Sequence, residues 1–177
     1  MQPIKIKGLK HMELRQMATA YIFKDEKVLM IKKSNSRLYN SEFWSGLGGH
    51  LEPNELNCPR TACLREIFEE SGIEESELSE LRLRYILIRI KENEIRQQYV
   101  YFGKTTKYQL ITSNEGEVYW LEMGEVMTKH ISKINREMLE HYIVHREDQG
   151  LYVGVITISD RQEPVMQWSE LRDPMIF

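Results

Sequence analysis

Residues 49–73 read GHLEPNELNCPRTACLREIFEESGI. Proline suits the first turn of a helix and glycine the position just past its end, so Pro59 and Gly72 predict a helix from Pro59 to Ser71. On that helix Glu66, Glu69 and Glu70 share one face, because i, i+3 and i+4 are surface neighbours. Leu64, Ile67 and Phe68 are expected to anchor the opposite side to a core, which would point the carboxylates outward. Ala62, one turn before Glu66, leaves room beside them. Carboxylates this close raise one another's pKa unless a positive charge sits among them. A hard divalent cation is the natural partner, since Mg²⁺ prefers carboxylate oxygens and keeps room for substrate phosphates. An isolated E-x-x-E-E is more often a solvated helix face; the surroundings of this one decide otherwise.

Upstream, residues 43–47 read as a short strand running into Gly48-Gly49, and residues 17–23 and 28–32 flank the polar tetrad 24–27 as a hairpin would. Downstream, residues 81–91 and 97–107 form a second, longer hairpin joined through residues 92–94, and residues 117–123 a further strand. Residues 125–146 carry Val126, Ile131, Ile134, Met138, Leu139 and Tyr142 at helical spacing, which predicts one helix. Two more strands, 151–159 and 165–168, close the chain. Helices interrupting strands predict an α/β or α+β chain, a mixed sheet sandwiched by helices. With no repeat and only five prolines, one domain spanning 1–177 is expected, its core at 12–147 and a strand extension at 148–177.

The 177 residues are 41% hydrophobic and 29% charged, enough for one core and too polar for a membrane span. A net charge of -3 and a pI near 6.0 argue against sequence-independent binding of duplex DNA, which needs a basic face. Small anions remain open, because a bound cation reverses the local field. Cys58 and Cys63 have neither zinc-ribbon nor C-x-x-C spacing and are expected to be reduced thiols. Residues 1–10 lack the apolar core of a signal peptide, so a cytoplasmic monomer or homodimer is expected.

The segment 49–73 resembles the box of the Nudix hydrolases, G-x(5)-E-x(7)-R-E-U-x-E-E-x-G-U, where U is bulky and apolar. Gly49, Glu55, Arg65, Glu66, Ile67, Glu69, Glu70, Gly72 and Ile73 fill its fixed positions. Seven such charged or glycine matches arise by chance on the order of once in 10⁸ windows. Nine residues rather than seven separate Glu55 from Arg65; the six steps from Pro59 to Arg65 place the two extra ones near Leu56-Asn57, which puts the reach of Glu55 to Arg65 in question. The resemblance implies an α/β/α sandwich holding Mg²⁺ or Mn²⁺ against a diphosphate. It implies Glu66, Glu69 and Glu70 as metal ligands together with the Gly48 carbonyl, and Arg65 as the group that orients carboxylates. Lys32, Lys33, Gly49 and Glu55 complete the site as candidate substrate-binding residues.

Outside the box, similar enzymes bring another carboxylate to the metals from the loop before a tryptophan-bearing strand. Glu115 and Glu117 both precede Trp120. Glu115 is preferred, as a ligand or general base, because a loop tip at 114–116 can bend toward the acidic helix. Trp44 and Trp120 could stack on a base, although core packing is the commoner use of tryptophan. Residues 113–121 resemble the E-G-E-x-x-W-L region of MutT-like members, and the tail resembles extensions in an 8-oxo-dGTP diphosphatase-like branch. The prolines and tyrosine that mark ADP-ribose, dinucleoside-polyphosphate and NADH relatives are missing. The expected activity is metal-dependent hydrolysis of a nucleoside di- or triphosphate to monophosphate and pyrophosphate. The alternatives are an RNA 5′-pyrophosphohydrolase and a non-catalytic nucleotide sensor.

Overall fold

The computed structural model describes residues 12–33, 42–107, 109–111 and 113–175. The amino-terminal stretch read for a signal peptide and the polar loop after Lys33 lie outside them. The longest apolar stretch near the start, within β1 (Glu13–Lys24), runs through the middle of the sheet. One edge of β1 pairs in parallel with β6 (Glu94–Thr105), and the other pairs antiparallel, first with β4 (Leu47–His50) and then with β2 (Lys27–Lys33). A strand covered on both faces reads as a continuous apolar run rather than an alternating one, as Ala18, Ala20, Tyr21 and Ile22 do.

β3 (Phe43–Ser45) and β7 (Glu117–Glu122) flank β2, while β5 (Leu78–Lys91) pairs antiparallel with β6. Beyond β5 the tail adds β8 (Tyr152–Ile158) in parallel and β9 (Pro164–Glu170) antiparallel, so the path is β3-β2-β1-β6-β5-β8-β9. Trp168 ties this addition to the core, its ring 5.6 Å from Tyr85 and 4.4 Å from His141.

Two apolar clusters lie on opposite faces of the sheet, making an α/β/α sandwich. On one, α1 (Pro59–Ser71) packs Ala62, Cys63 and Ile67 against Ala18, Ala20, Ile22 and Leu47. On the other, α3 (Lys133–Val144) packs Ile134, Met138, Leu139 and Tyr142 against Tyr21, Tyr85 and Phe102. The single helix expected at 125–146 is two, α2 (Met123–Val126) and α3. The break is bonded: Arg136 donates to the carbonyls of Met127 and Lys129 at 2.7 and 2.9 Å, and the Ser132 hydroxyl accepts from the Asn135 N–H. Ser132 is a better cap than interior residue, and that preference overrides the apolar period. Both cysteines are free, Cys58 exposed and Cys63 buried. No helix among the described residues is long and apolar enough to cross a membrane.

The orientation of α1 differs from the expected one. Its buried face is Ala62, Cys63, Glu66, Ile67, Glu70 and Ser71, whereas Phe68 is 52% exposed. Small side chains at 62, 63 and 71 let the helix approach β4 and β1 closely, and this outweighs burial of the bulkier Phe68. Glu66 and Glu70 therefore point at the sheet, 6% and 1% exposed. Ile67→Ala is expected to cost ~2–5 kcal/mol, as for a buried aliphatic truncation, and Phe68→Ala no more than ~0.5 kcal/mol, as for an open surface position. Urea denaturation of the two variants measures this, and the reverse ranking would mean the helix is rotated.

Candidate active site

Gly49 of β4 makes the space that the Glu66 carboxylate enters, and Gly48 lets β4 lie close against β1. A Cβ on Gly49 would lie 2.3 Å from a Glu66 carboxylate oxygen, and Gly48, at φ +151°, would place one 2.1 Å from the Ala18 carbonyl. With no side chains there, the strand presents backbone to the acidic helix. The Gly48 N–H donates to Glu70 Oε2 at 2.7 Å. Glu70 Oε1 lies 3.0 Å from Lys33 Nζ as an ion pair, without an aligned hydrogen bond.

Glu115 comes to the same place from the turn before β7. A bridge between Ser113 and Gly116 closes this turn, and the Glu115 N–H donates to the Ser113 hydroxyl. Single carboxylate oxygens of Glu66, Glu70 and Glu115 all lie within 4.8 Å of one another. Glu117, the other candidate, begins β7 on the opposite face, where the Tyr119 hydroxyl donates to it. Strand alternation separates Lys32 from Lys33 in the same way. Lys33 lies among the carboxylates, whereas Lys32 pairs with Glu42 at 2.5 Å on the face of Trp44 and Glu117.

Arg65 organises the other side of the trio. Its guanidinium grips Glu55 with two bonds, at 2.9 and 3.0 Å, and donates to Glu66 at 2.9 Å, Glu69 at 3.0 Å and the His50 carbonyl at 3.1 Å. Glu55 thus reaches Arg65 despite the two extra residues. The turn that follows Glu55 absorbs them, with the Cys58 N–H donating to the Glu55 carbonyl, while Leu56 is left exposed. Glu69 is exposed and is not one of the clustered trio.

Burial pushes the Glu70 carboxyl up to about 7, even though Lys33 and the Gly48 N–H favour its charged form. Glu66 is also raised, first by burial and then by Glu115 and Glu69, with Arg65 opposing. Burial works against the Lys33 ammonium, but Glu70 and Glu115 hold its pKa above the usual lysine value. The Glu55 carboxyl is held low by its hydrogen bonds to Arg65. Two buried carboxylates at raised pKa, one oxygen without a hydrogen bond and a carbonyl at Gly48 make a hard-oxygen donor set suited to Mg²⁺ or Mn²⁺.

Both tryptophans pack inward. Trp44 belongs to the cluster beneath α3 with Tyr119 at 5.4 Å, and Trp120 lies against the cluster beneath α1. The place of Lys33 among the carboxylates was not legible beforehand, because two adjacent lysines carry no mark of which face each takes. Glu55 is 3% and Arg65 24% exposed. Arg65→Ala is expected to destabilise the fold by ~3 kcal/mol, the low end for stripping one partner from a buried pair. Adding Glu55→Gln should recover part of the loss in chemical denaturation; no recovery would mean that Glu55 is not the group left unpaired.

The model of the NUDIX domain matches residues 14–142. Among solved structures, the MutT protein of Bacillus halodurans aligns with a TM-score of 0.62 at 20% identity, covering 90% of this chain and 99% of its own. A NUDIX hydrolase from Nitrosomonas europaea reaches 0.67 at 17% identity, covering 86% and 84%. An Ap4A hydrolase of C. elegans, in a binary complex, reaches 0.60 at 16% identity, covering 76% and 98%. No curated protein matches the chain. A domain match over most of the length, on a sandwich that gathers the box carboxylates over β4, shows that this chain belongs to the Nudix family, hydrolases of compounds built on a nucleoside diphosphate.

Proposed function

We propose that this hydrolase is a MutT-type nucleoside-triphosphate pyrophosphohydrolase acting in the cytoplasm, with oxidised guanine nucleotides such as 8-oxo-dGTP among its candidate substrates. The observation that carries the reading is the convergence of Glu66, Glu70 and Glu115 within 4.8 Å beside the Gly48 backbone. These three carboxylates, with the Gly48 carbonyl, would hold Mg²⁺ or Mn²⁺. A divalent cation so held supplies charge neutralisation at the phosphates and acidifies water.

The protein's own groups do the positioning. Arg65 aims Glu66 and Glu69, and Glu55 and the His50 carbonyl fix Arg65, so the acidic face needs no reorganisation when a polyanion arrives. Glu69, at the solvent side, is placed to add a ligand. Glu115, on a loop tip rather than a strand, is placed to accept a proton from the attacking water oxygen or to add a ligand of its own; hydrogen-bond reach decides between these roles before pKa does. Lys33, paired with Glu70 and Glu115, is the candidate for contacts to the substrate phosphates, and Gly49 adds no side chain beside them. Lys32, on the far face, is the candidate for contacts to the rest of the nucleotide.

A panel of nucleoside triphosphates, 8-oxo-dGTP, dinucleoside polyphosphates and 5′-triphosphorylated RNA separates the candidate substrates. Monophosphate and pyrophosphate are expected from a triphosphate, with all turnover lost after exhaustive chelation. Diphosphate and orthophosphate as main products, or turnover that survives chelation, would sink the reading. Cation affinity should also depend on pH. Folding raises the Glu70 carboxyl from 4.5 to about 7, so a proton competes with the cation below about pH 7, and Mn²⁺ binding should strengthen as pH rises through that range. Calorimetric titration from acid to neutral pH checks the sign.

Glu115→Gln is expected to lower kcat by ~10²-fold, the scale of one preorganised electrostatic group. Glu117→Gln, on the opposite face, should change kcat far less. Steady-state kinetics of the pair decides: if only Glu117→Gln abolishes turnover, Glu115 does not serve the reaction.

A further inference from the structure

Lys33 stands where a cation is wanted. Its ammonium lies 3.0 Å from Glu70 Oε1, 3.3 Å from Glu115 Oε2 and 3.5 Å from the Gly48 carbonyl. These three oxygens belong to the donor set assigned above to the divalent ion. Lone pairs that face an ammonium cannot at the same time face a metal, and two cations a few ångströms apart repel strongly in a half-buried site.

The two cations of the site are held differently. Arg65 makes four of its five hydrogen bonds outside the trio, two to Glu55, one to Glu69 and one to the His50 carbonyl. It therefore stays in place whatever binds the carboxylates. Among the described residues, the Lys33 ammonium has all its contacts inside the site, at the end of a flexible stem rooted in the last residue of β2. Lys32 cannot take over, since strand alternation turns it to the other face and Glu42 holds it there.

We propose that Lys33 is a tethered counter-cation that occupies the centre of the metal-free enzyme, keeps Glu70 and Glu115 together, and must be displaced when the divalent ion enters. This rests on the reading that Glu66, Glu70 and Glu115 take such an ion. The displaced ammonium remains tethered by β2 beside the same site, where it can pair with an anionic substrate. Metal loading thereby releases a positive charge for the substrate and couples the two binding events.

The test is Mn²⁺ binding to metal-free protein, measured by calorimetry for the parent chain and for Lys33→Met, which keeps much of the stem and removes the charge. The variant should bind Mn²⁺ about tenfold more tightly, equivalent to ~1.4 kcal/mol. Its metal-free form should melt lower than the parent, and added Mn²⁺ should raise its Tm by more. Equal or weaker Mn²⁺ affinity in Lys33→Met overturns the proposal.

A second readout uses the parent chain and does not depend on that variant folding. With ¹⁵N-labelled lysine, the Lys33 ammonium resonance, assigned through Lys33→Arg, should be protected from exchange without metal and lose protection on saturation with Mg²⁺. An unchanged resonance at saturation also overturns the proposal. If neither the parent nor the variant binds Mn²⁺, the metal reading of the trio itself falls, and this inference with it.

Discussion

The site depends on how closely a helix can approach a strand. Gly49 has no side chain to hold Glu66 of α1 away, Gly48 lets β4 lie close against β1, and Ala62, Cys63 and Ser71 give the helix a small-residue surface where it meets the sheet. At that distance the carboxylates of Glu66 and Glu70 enter the interface instead of solvent, where backbone and cations replace the water they lose. Burying such charges is costly unless they are paired and hydrogen-bonded. Arg65, Lys33 and the Gly48 N–H are therefore parts of the fold as much as of the chemistry.

The same requirement explains what could be read beforehand and what could not. The limits of α1 were legible because proline and glycine act locally, Pro59 in its first turn and Gly72 at φ +72° past its end. The position of Glu115 beside Glu66 and Glu70, with Glu117 on the other face, was legible for a similar reason, since a residue at a turn is free of the alternation that binds a residue in a strand. Of the buried face of α1, Ile67 was legible and is fully buried, but the rest was not. Reading Leu64 and Phe68 as its companions assumes that the bulkiest apolar groups go inward, whereas the close approach to β4 rewards the smallest. The break between α2 and α3 was hidden in the same fashion, because an apolar period continued through residues whose backbone is better served by the Ser132 cap and the Arg136 side chain.

Charge in the site is arranged by permanence. One cation, Arg65, is fixed by a loop carboxylate and a backbone carbonyl; the other, Lys33, is held among the described residues by Glu70, Glu115 and the Gly48 carbonyl of the site itself. The difference between a planar fork with many donors and a compact ammonium on a flexible stem suits these two tasks. The two extra residues between Glu55 and Arg65 leave this division intact because they are taken up in the turn after Glu55, while the Glu52 N–H and Arg65 hold the Glu55 carboxylate in place.

The central position of β1 has a consequence for how the molecule comes into being. Its long parallel partner, β6, follows roughly eighty residues later, and even its antiparallel neighbour β4 is separated from it by β2, β3 and the residues between them. Loops of that size must close before the contacts repay them, which slows folding in proteins built on distant pairings. During synthesis β1 therefore leaves the ribosome well before β6 exists, an apolar strand with an unpaired edge and a natural point for chaperone capture or for misassociation.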